Sequence, residues 1–222
     1  GLNWDGPVIF QSDRLDLYQS FLNYLKDKDK LYPCKCSRSK LLSLSKSNHE
    51  FSPYPGLCRN LNLSWESNEG RFPSWRLIVE HDLFPTCGDI ILRRSDQFIS
   101  YHFATVIDEL TLGISEVVRG EDLYNSLDKQ LAIIYYLGQE PLQYLHIPMY
   151  LDENGQKLSK RNNANGLDQF KSNGISANQV IGKLASSLGL ISSCDEISLE
   201  ELIFELKRKE NNLETYKINN QI

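Results

Sequence analysis

Two lysines three positions apart, in Lys157-Leu158-Ser159-Lys160-Arg161, can reach the phosphates of a nucleotide and offset charge as pyrophosphate departs. Taken alone, K-x-x-K is a common solvated basic turn. A second chemistry-bearing group is cysteine: the chain has five, three of them between residues 34 and 58 (Cys34, Cys36, Cys58), while Cys87 and Cys194 stand apart. An odd count with local crowding points to a metal cluster plus two free thiols more than to a disulfide framework. Buried or stray cysteines without a metal are the plainer alternative.

The elements that must position these groups read as α/β. Val8-Ile9-Phe10 has the composition of a buried strand, followed by a helix capped by Ser12 with Leu15, Tyr18, Phe21, Leu22 and Leu25 facing inward. Strand feeding helix is the unit of a parallel sheet. Residues 34 to about 85 turn polar and broken, too long for an ordinary loop, so an inserted subdomain is expected there. Residues 89–93 read as a strand and Tyr101 to Leu110 as a helix. Residues 114–120 form a β-branched run closed by Gly120, and Leu123, Leu127, Leu131, Ile134 and Tyr135 set a helical stripe after it. Gln143 to Leu151 is a further strand ending in the turn Asp152-Glu153-Asn154-Gly155, directly before the two lysines. Beyond residue 162, Val180, Ile181, Leu184 and Leu188 give one apolar helical face and Leu199, Leu202, Ile203 and Leu206 another, with fraying expected from about Lys207.

With 222 residues and 41% hydrophobic content, the chain can build a real core. It has no apolar run of about 18 residues and no secretory pattern at its start, so a cytoplasmic, non-membrane protein is expected. The net charge of −5 argues against indiscriminate nucleic-acid binding but leaves room for a local basic face. A chain that opens on Gly1 and enters an apolar run at Val8 leads us to expect a gene product that starts earlier.

The order strand, Gly turn, K-L-S-K resembles the KMSKS loop of class I aminoacyl-tRNA synthetases. Residues 1–7 (Gly-Leu-Asn-Trp-Asp-Gly-Pro), Gln11-Ser12, residues 118–123 (Val-Arg-Gly-Glu-Asp-Leu) and residues 144–148 (Tyr-Leu-His-Ile-Pro) are likewise similar to segments of the glutamyl-tRNA synthetase family. This resemblance implies a Rossmann-like catalytic core with a parallel sheet over residues 1–162 and a zinc-binding insertion at about 33–86. A small helical appendage over 163–222 completes it, with ATP at the carboxyl ends of the strands. It also implies that the first strand and its HIGH-type motif are missing, which would leave half an ATP site and a fragment that is inactive by itself.

Residue by residue, the resemblance assigns ATP binding to Lys157, Leu158, Ser159, Lys160 and Arg161, with Lys157 and Lys160 catalytic, and Mg²⁺ accompanying ATP. Tyr101 and Arg119 match positions that contact the amino acid. A guanidinium pairs with a carboxylate in a planar fork, and a phenol adds a directed hydrogen bond; without the resemblance, a core Tyr and a surface or capping Arg would suffice. Cys34, Cys36, Tyr54 and Cys58 match a zinc-binding insertion with three thiolates and a tyrosine oxygen. The Cys36–Tyr54 spacer is longer than that pattern, and His49 inside it is an alternative fourth ligand. Tyr54-Pro55-Gly56-Leu57-Cys58, with only 62 residues after Lys160, resembles the branch that transfers glutamate to the queuosine base of tRNA(Asp). The expected partners are glutamate, ATP and that tRNA, acting on a monomer. A truncated standard glutamyl-tRNA synthetase and a non-catalytic tRNA- or nucleotide-binding remnant are the alternatives.

Overall fold

The computed structural model describes residues 2–37, 39–41, 53–68, 70–149, 167–192 and 196–210, with residues 209 and 210 by backbone alone. His49, the turn at 152–155, the loop Lys157–Arg161 and Cys194 lie outside the described residues. The chain divides into two compact units, Val8–Met149 and Gly1–Pro7 with Tyr150–Ile222. No described helix is long and apolar enough to cross a membrane.

The larger unit begins with a 3-10 turn at Gln11–Arg14 that runs into helix α1, Leu15–Asp27. Tyr18, Leu22 and Leu25 recur at four- and three-residue spacing and are fully buried, each such side chain stabilising the fold by about 1.5–3 kcal/mol. Two expectations fail at this end. Val8, Ile9 and Phe10 form no strand and are exposed, because among the described residues nothing pairs with their backbone as a ladder. Ser12 caps nothing: its hydroxyl turns to the adjacent Asp13 carboxylate, and Leu15 is exposed. What anchors this segment is Asp108, whose carboxylate takes Arg14 Nε at 2.8 Å, the Tyr18 hydroxyl at 2.8 Å and Gln11 Nε2 at 2.8 Å. Burial, then Asp108 itself, pushes the Tyr18 phenol up to about 12.

Strands β1 (Leu31–Cys34), β2 (Ser74–Leu77) and β3 (Ile90–Arg93) form an antiparallel sheet in that order. The polar stretch from 34 to 85 was expected to stay outside any sheet core, yet it supplies β2, the central strand, all four residues buried. Trp75, Leu77 and Val79 join the same hydrophobic cluster as α1. Only the composition of its flanks disguised a four-residue strand. Helix α2, Tyr101–Thr111, follows, with Ser100 accepting from the Phe103 amide as its N-cap and Phe103, Val106 and Ile107 fully buried.

Strands β4 (Glu116–Gly120) and β5 (Gln143–Ile147) pair in parallel, joined by a 3-10 stretch at Glu121–Ser126 and helix α3, Leu127–Tyr136. This is the strand-helix-strand unit expected from the sequence, and it is parallel where the sheet β1–β2–β3 is antiparallel. Of the stripe expected on α3, Ile134 is buried as expected, but Tyr135 is exposed and Gln130, Ile133 and Leu137 complete the inward face. Gln130 explains the miss, since a polar residue holds an inward position that hydrophobic periodicity skips.

The second unit contains helices α4 (Leu167–Ser172), α5 (Ala177–Ser187) and α6 (Leu199–Glu210). Ser176 and Gln179 form a reciprocal capping box on α5, and Ser198 with Glu201 does the same at α6. On α5, Gly182 and Ala185 are buried while Leu184 and Leu188 are exposed, so the small residues form the packed face and the expected leucines do not. Leu202 is buried as expected, and helix continues to Glu210 past the predicted fraying point.

Gly88 tests the close approach beneath the sheet. Its φ is +58°, and a Cβ there would lie 2.5 Å from the Tyr54 nitrogen and 2.8 Å from the Tyr54 oxygen. Gly138 has a similar φ of +68° with open space around it. Gly138→Ala should cost about 1–2 kcal/mol from backbone strain, and Gly88→Ala measurably more, as read by denaturant melts of the two variants. Equal losses would mean that the Tyr54 contact yields freely.

Candidate functional site

Arg119 owes its position to strand alternation. On β4 and β5 the register sets Val117 opposite Tyr144 and Arg119 opposite His146, so all four side chains share one face of the pair. Arg119 Nε donates to His146 Nε2 at 3.0 Å, Nη1 donates to Gln130 Oε1 at 2.6 Å, and the guanidinium lies 4.9 Å from the centre of the Tyr144 ring. Helix α3 thus fixes the cation through Gln130, and α2 closes the opposite side through Glu109, which accepts from the Tyr144 hydroxyl at 3.0 Å. Arg119 Nη2 and Gln130 Nε2 are buried with no hydrogen-bond partner among the described residues. A held guanidinium with one nitrogen left over is an arrangement that accepts a carboxylate or another planar acceptor.

Burial is the first cause of every shift among the titratable groups around Arg119. Burial, helped by Lys129 and Arg119, pulls His102 down to about 4, and burial with Arg119 also lowers His146. Burial raises Glu109, although Tyr144 and Arg119 oppose that rise. The His102 Nδ1 is buried and unpartnered among the described residues. Tyr101, expected beside Arg119, begins α2 and stacks edge-on to His102 with ring centres 5.5 Å apart; its side chain is exposed and so open to a ligand. Gln130 and His146 were missed in the sequence: a glutamine in a leucine-rich helix looks like a surface residue, and only the register of β4 on β5 reveals that His146 faces the arginine.

The second centre is a thiol cluster. Cys34 at the end of β1, Cys36 and Cys58 bring their sulfurs within 4.8 Å of one another, with Cys36 and Cys58 at 3.6 Å. The Tyr54 hydroxyl lies 3.3 Å from both Cys34 and Cys36 sulfurs. Two sulfurs on a tetrahedral zinc-sized ion sit about 3.8 Å apart, so this donor set fits such an ion. Burial acts to raise the Cys58 thiol, but the Lys35 amide and the neighbouring phenol and thiols outweigh it and bring it below its ordinary value. Burial, then the adjoining sulfurs, drives the Tyr54 phenol well up. Cys87, by contrast, is a buried free thiol that burial pushes to about 11. The structure therefore brings together all four sequence-predicted ligands; His49, the alternative, lies outside the described residues, as do Lys157, Leu158, Ser159, Lys160 and Arg161.

Comparison with known proteins follows the same lines. Residues 75–210 match the family described as tRNA synthetases class I (E and Q), catalytic domain. The chain is 50% identical over 95% of its length to the glutamyl-Q tRNA(Asp) synthetase of Prochlorococcus marinus strain MIT 9313, spanning 69% of that protein. It belongs to the class I tRNA synthetase family. Glutamyl-Q tRNA(Asp) synthetases of Synechococcus sp. strain CC9605 and Nitratidesulfovibrio vulgaris are 43% and 35% identical over 94% and 86% of the chain, which spans 69% and 68% of them. Among solved structures, the glutamate tRNA ligase of Elizabethkingia meningosepticum superposes with a TM-score of 0.60 at 18% identity, covering 89% of this chain and 49% of that one. That likeness establishes the class I synthetase catalytic fold, of which the β4–β5 pair and its helices are part.

Two expected outcomes check the centres. Stability of the chain should fall as pH drops from about 6.5 towards 4, because the unfolded chain protonates His102 over that window and the folded chain does not. His102→Gln should lessen the fall in pH-dependent melts. Added Co²⁺ should give the visible spectrum of a tetrahedral thiolate complex, lost in Cys58→Ser; no spectrum in the parent chain would remove the cluster as a metal site.

Proposed function

We propose that this chain is the catalytic part of an enzyme that activates glutamate with ATP and transfers it to the queuosine base of tRNA(Asp). The observation that carries this reading is the 50% identity over 95% of the chain to a protein bearing that name. The geometry supports it, because Arg119 is held by Gln130 and His146 with Nη2 free to pair with a carboxylate oxygen. Tyr101, exposed at the start of α2, would add a hydrogen bond without a second negative charge.

In this mechanism Arg119 and Tyr101 orient glutamate so that its α-carboxylate attacks the α-phosphate of ATP. Lys160, with Lys157 and the rest of the Lys157–Arg161 loop, offsets charge on the departing pyrophosphate, Mg²⁺ accompanying the nucleotide. A hydroxyl of the queuosine cyclopentenediol then attacks the glutamyl carbonyl, and AMP leaves. Zinc held by Cys34, Cys36, Tyr54 and Cys58 would act structurally, stapling a segment with few apolar residues of its own.

The test uses protein spanning the relatives' full length. It should form glutamyl-adenylate without tRNA and load glutamate onto tRNA(Asp) that carries queuosine, and not onto tRNA(Asp) that lacks it. Lys160→Ala should slow glutamate-dependent ATP–pyrophosphate exchange by roughly 10²-fold, and Arg119→Ala should raise the glutamate concentration needed for saturation. Loading of the 3′ end of tRNA(Glu), with none of queuosine-bearing tRNA(Asp), would overturn the acceptor while leaving the activation chemistry standing.

A further inference from the structure

Arg76, on the central strand β2, is a buried cation whose charge its immediate partners do not answer. It is only 5% exposed, and an arginine does not shed its proton, so the charge stays where the fold puts it. Its Nη1 donates to the Asp89 carbonyl at 2.8 Å, a bond to a neutral group, and among the described residues it makes no ion pair. The Asp89 carboxylate is engaged elsewhere: Arg59 chelates it through Nε and Nη2, and the Tyr32 hydroxyl and Val79 amide also donate to it. Two guanidinium groups therefore stand against one carboxylate, and one positive charge is left over. A buried ion without a partner is costly to a fold, so this residual charge calls for an anion.

The thiol cluster is placed to supply it. The guanidinium carbon of Arg76 lies 3.7 Å from the centre of the Tyr54 ring, and the hydroxyl of that ring lies 3.3 Å from the Cys34 and Cys36 sulfurs. The sheet fixes this juxtaposition. Cys34 pairs with Ser74 and Tyr32 with Arg76, so Cys34 and Arg76 stand on one face of β1 and β2. As three thiols and a phenol the cluster carries no charge. When a divalent ion takes the place of the thiol protons, three thiolates exceed it by one negative charge, and a bound phenolate would make the excess two. Cys34 and Cys58 are buried, and a cation over an aromatic face is worth most where water is excluded.

We propose that Arg76 is the counter-cation of the metal centre: its fixed charge offsets the negative charge that the cluster acquires with a divalent ion, and so raises the cluster's affinity for that ion. The proposal rests on the reading of Cys34, Cys36, Tyr54 and Cys58 as a metal site and is independent of the glutamate chemistry. Arg76 touches no ion and acts through the Tyr54 ring, which makes it a positioning residue of the centre. The coupling runs in both directions. Metal binding gives Arg76 the anion it lacks, and thereby stabilises the sheet β1–β2–β3 along with the segment that carries Tyr54 and Cys58.

The experiment measures Co²⁺ affinity of the 222-residue chain by its visible spectrum in competition with a chelator, for the parent, Arg76→Gln and Arg76→Lys. Glutamine removes the charge but keeps a donor for the Asp89 carbonyl, whereas lysine keeps the charge and loses the planar stack. Arg76→Gln should weaken Co²⁺ binding by roughly ten- to a hundredfold, and Arg76→Lys by only a few-fold. A residue that served the fold alone would not rank the two variants by charge. Should Arg76→Gln fold poorly, Arg76→Lys still decides, because a loss in it as large as that expected for glutamine overturns the proposal. Equal affinity in the parent and a folded Arg76→Gln overturns the counter-cation role while the metal site stands. A parent chain that binds no Co²⁺ removes the metal site and this role together.

Discussion

The buried carboxylate of Asp89 is the constraint on which the larger unit depends. It sits just before β3 and takes hydrogen bonds from Tyr32 on β1, Val79 after β2 and Arg59 in the polar segment, while its own backbone carbonyl accepts from Arg76 on β2. An unpaired carboxylate in that position would be expensive, so all three strands and the polar segment must arrive together. Among the described residues, Arg59 is the partner that carries a balancing charge to the carboxylate. The carboxylate therefore specifies one arrangement of this sheet as much as it stabilises it.

That arrangement sets both centres. Sheet registry places Cys34 at the end of β1 against Tyr54, and Tyr54 against Gly88, one residue before Asp89. From Asp89 the chain continues through β3 to Ser100 and α2, whose Asp108 fixes the first helix and whose Glu109 braces the Tyr144 ring beside Arg119. The thiol cluster and the arginine site are thus linked through the chain from Asp89 to α2 and the polar contacts at its two ends, while the thiols pack in a small apolar cluster of their own beside the main core.

Much of this was legible in the sequence where chemistry is local. The three cysteines and Tyr54 converge as their spacing and family likeness suggested, and β4, β5, α1 and α2 fall close to where hydrophobic periodicity put them. What escaped was decided by distant partners. Strand β2 is four residues in a polar setting and becomes central because β1 and β3 flank it. The faces of α3 and α5 were misread in part because a buried glutamine and a pair of small residues, Gly182 and Ala185, carry no hydrophobic signal. Val8 to Phe10 read as strand on composition, but composition supplies no partner for the backbone.

Arg76 carries a consequence beyond its own contacts. Its guanidinium touches the Tyr54 ring on one face and donates to the Asp89 carbonyl from an edge, and a lysine could not reproduce the planar stack together with that bond. Positions 54, 76, 88 and 89 therefore form a single unit of inheritance. A change at one is tolerable only when answered at the others, so over evolutionary time these four should drift together or stay still, while the exposed residues around them vary freely.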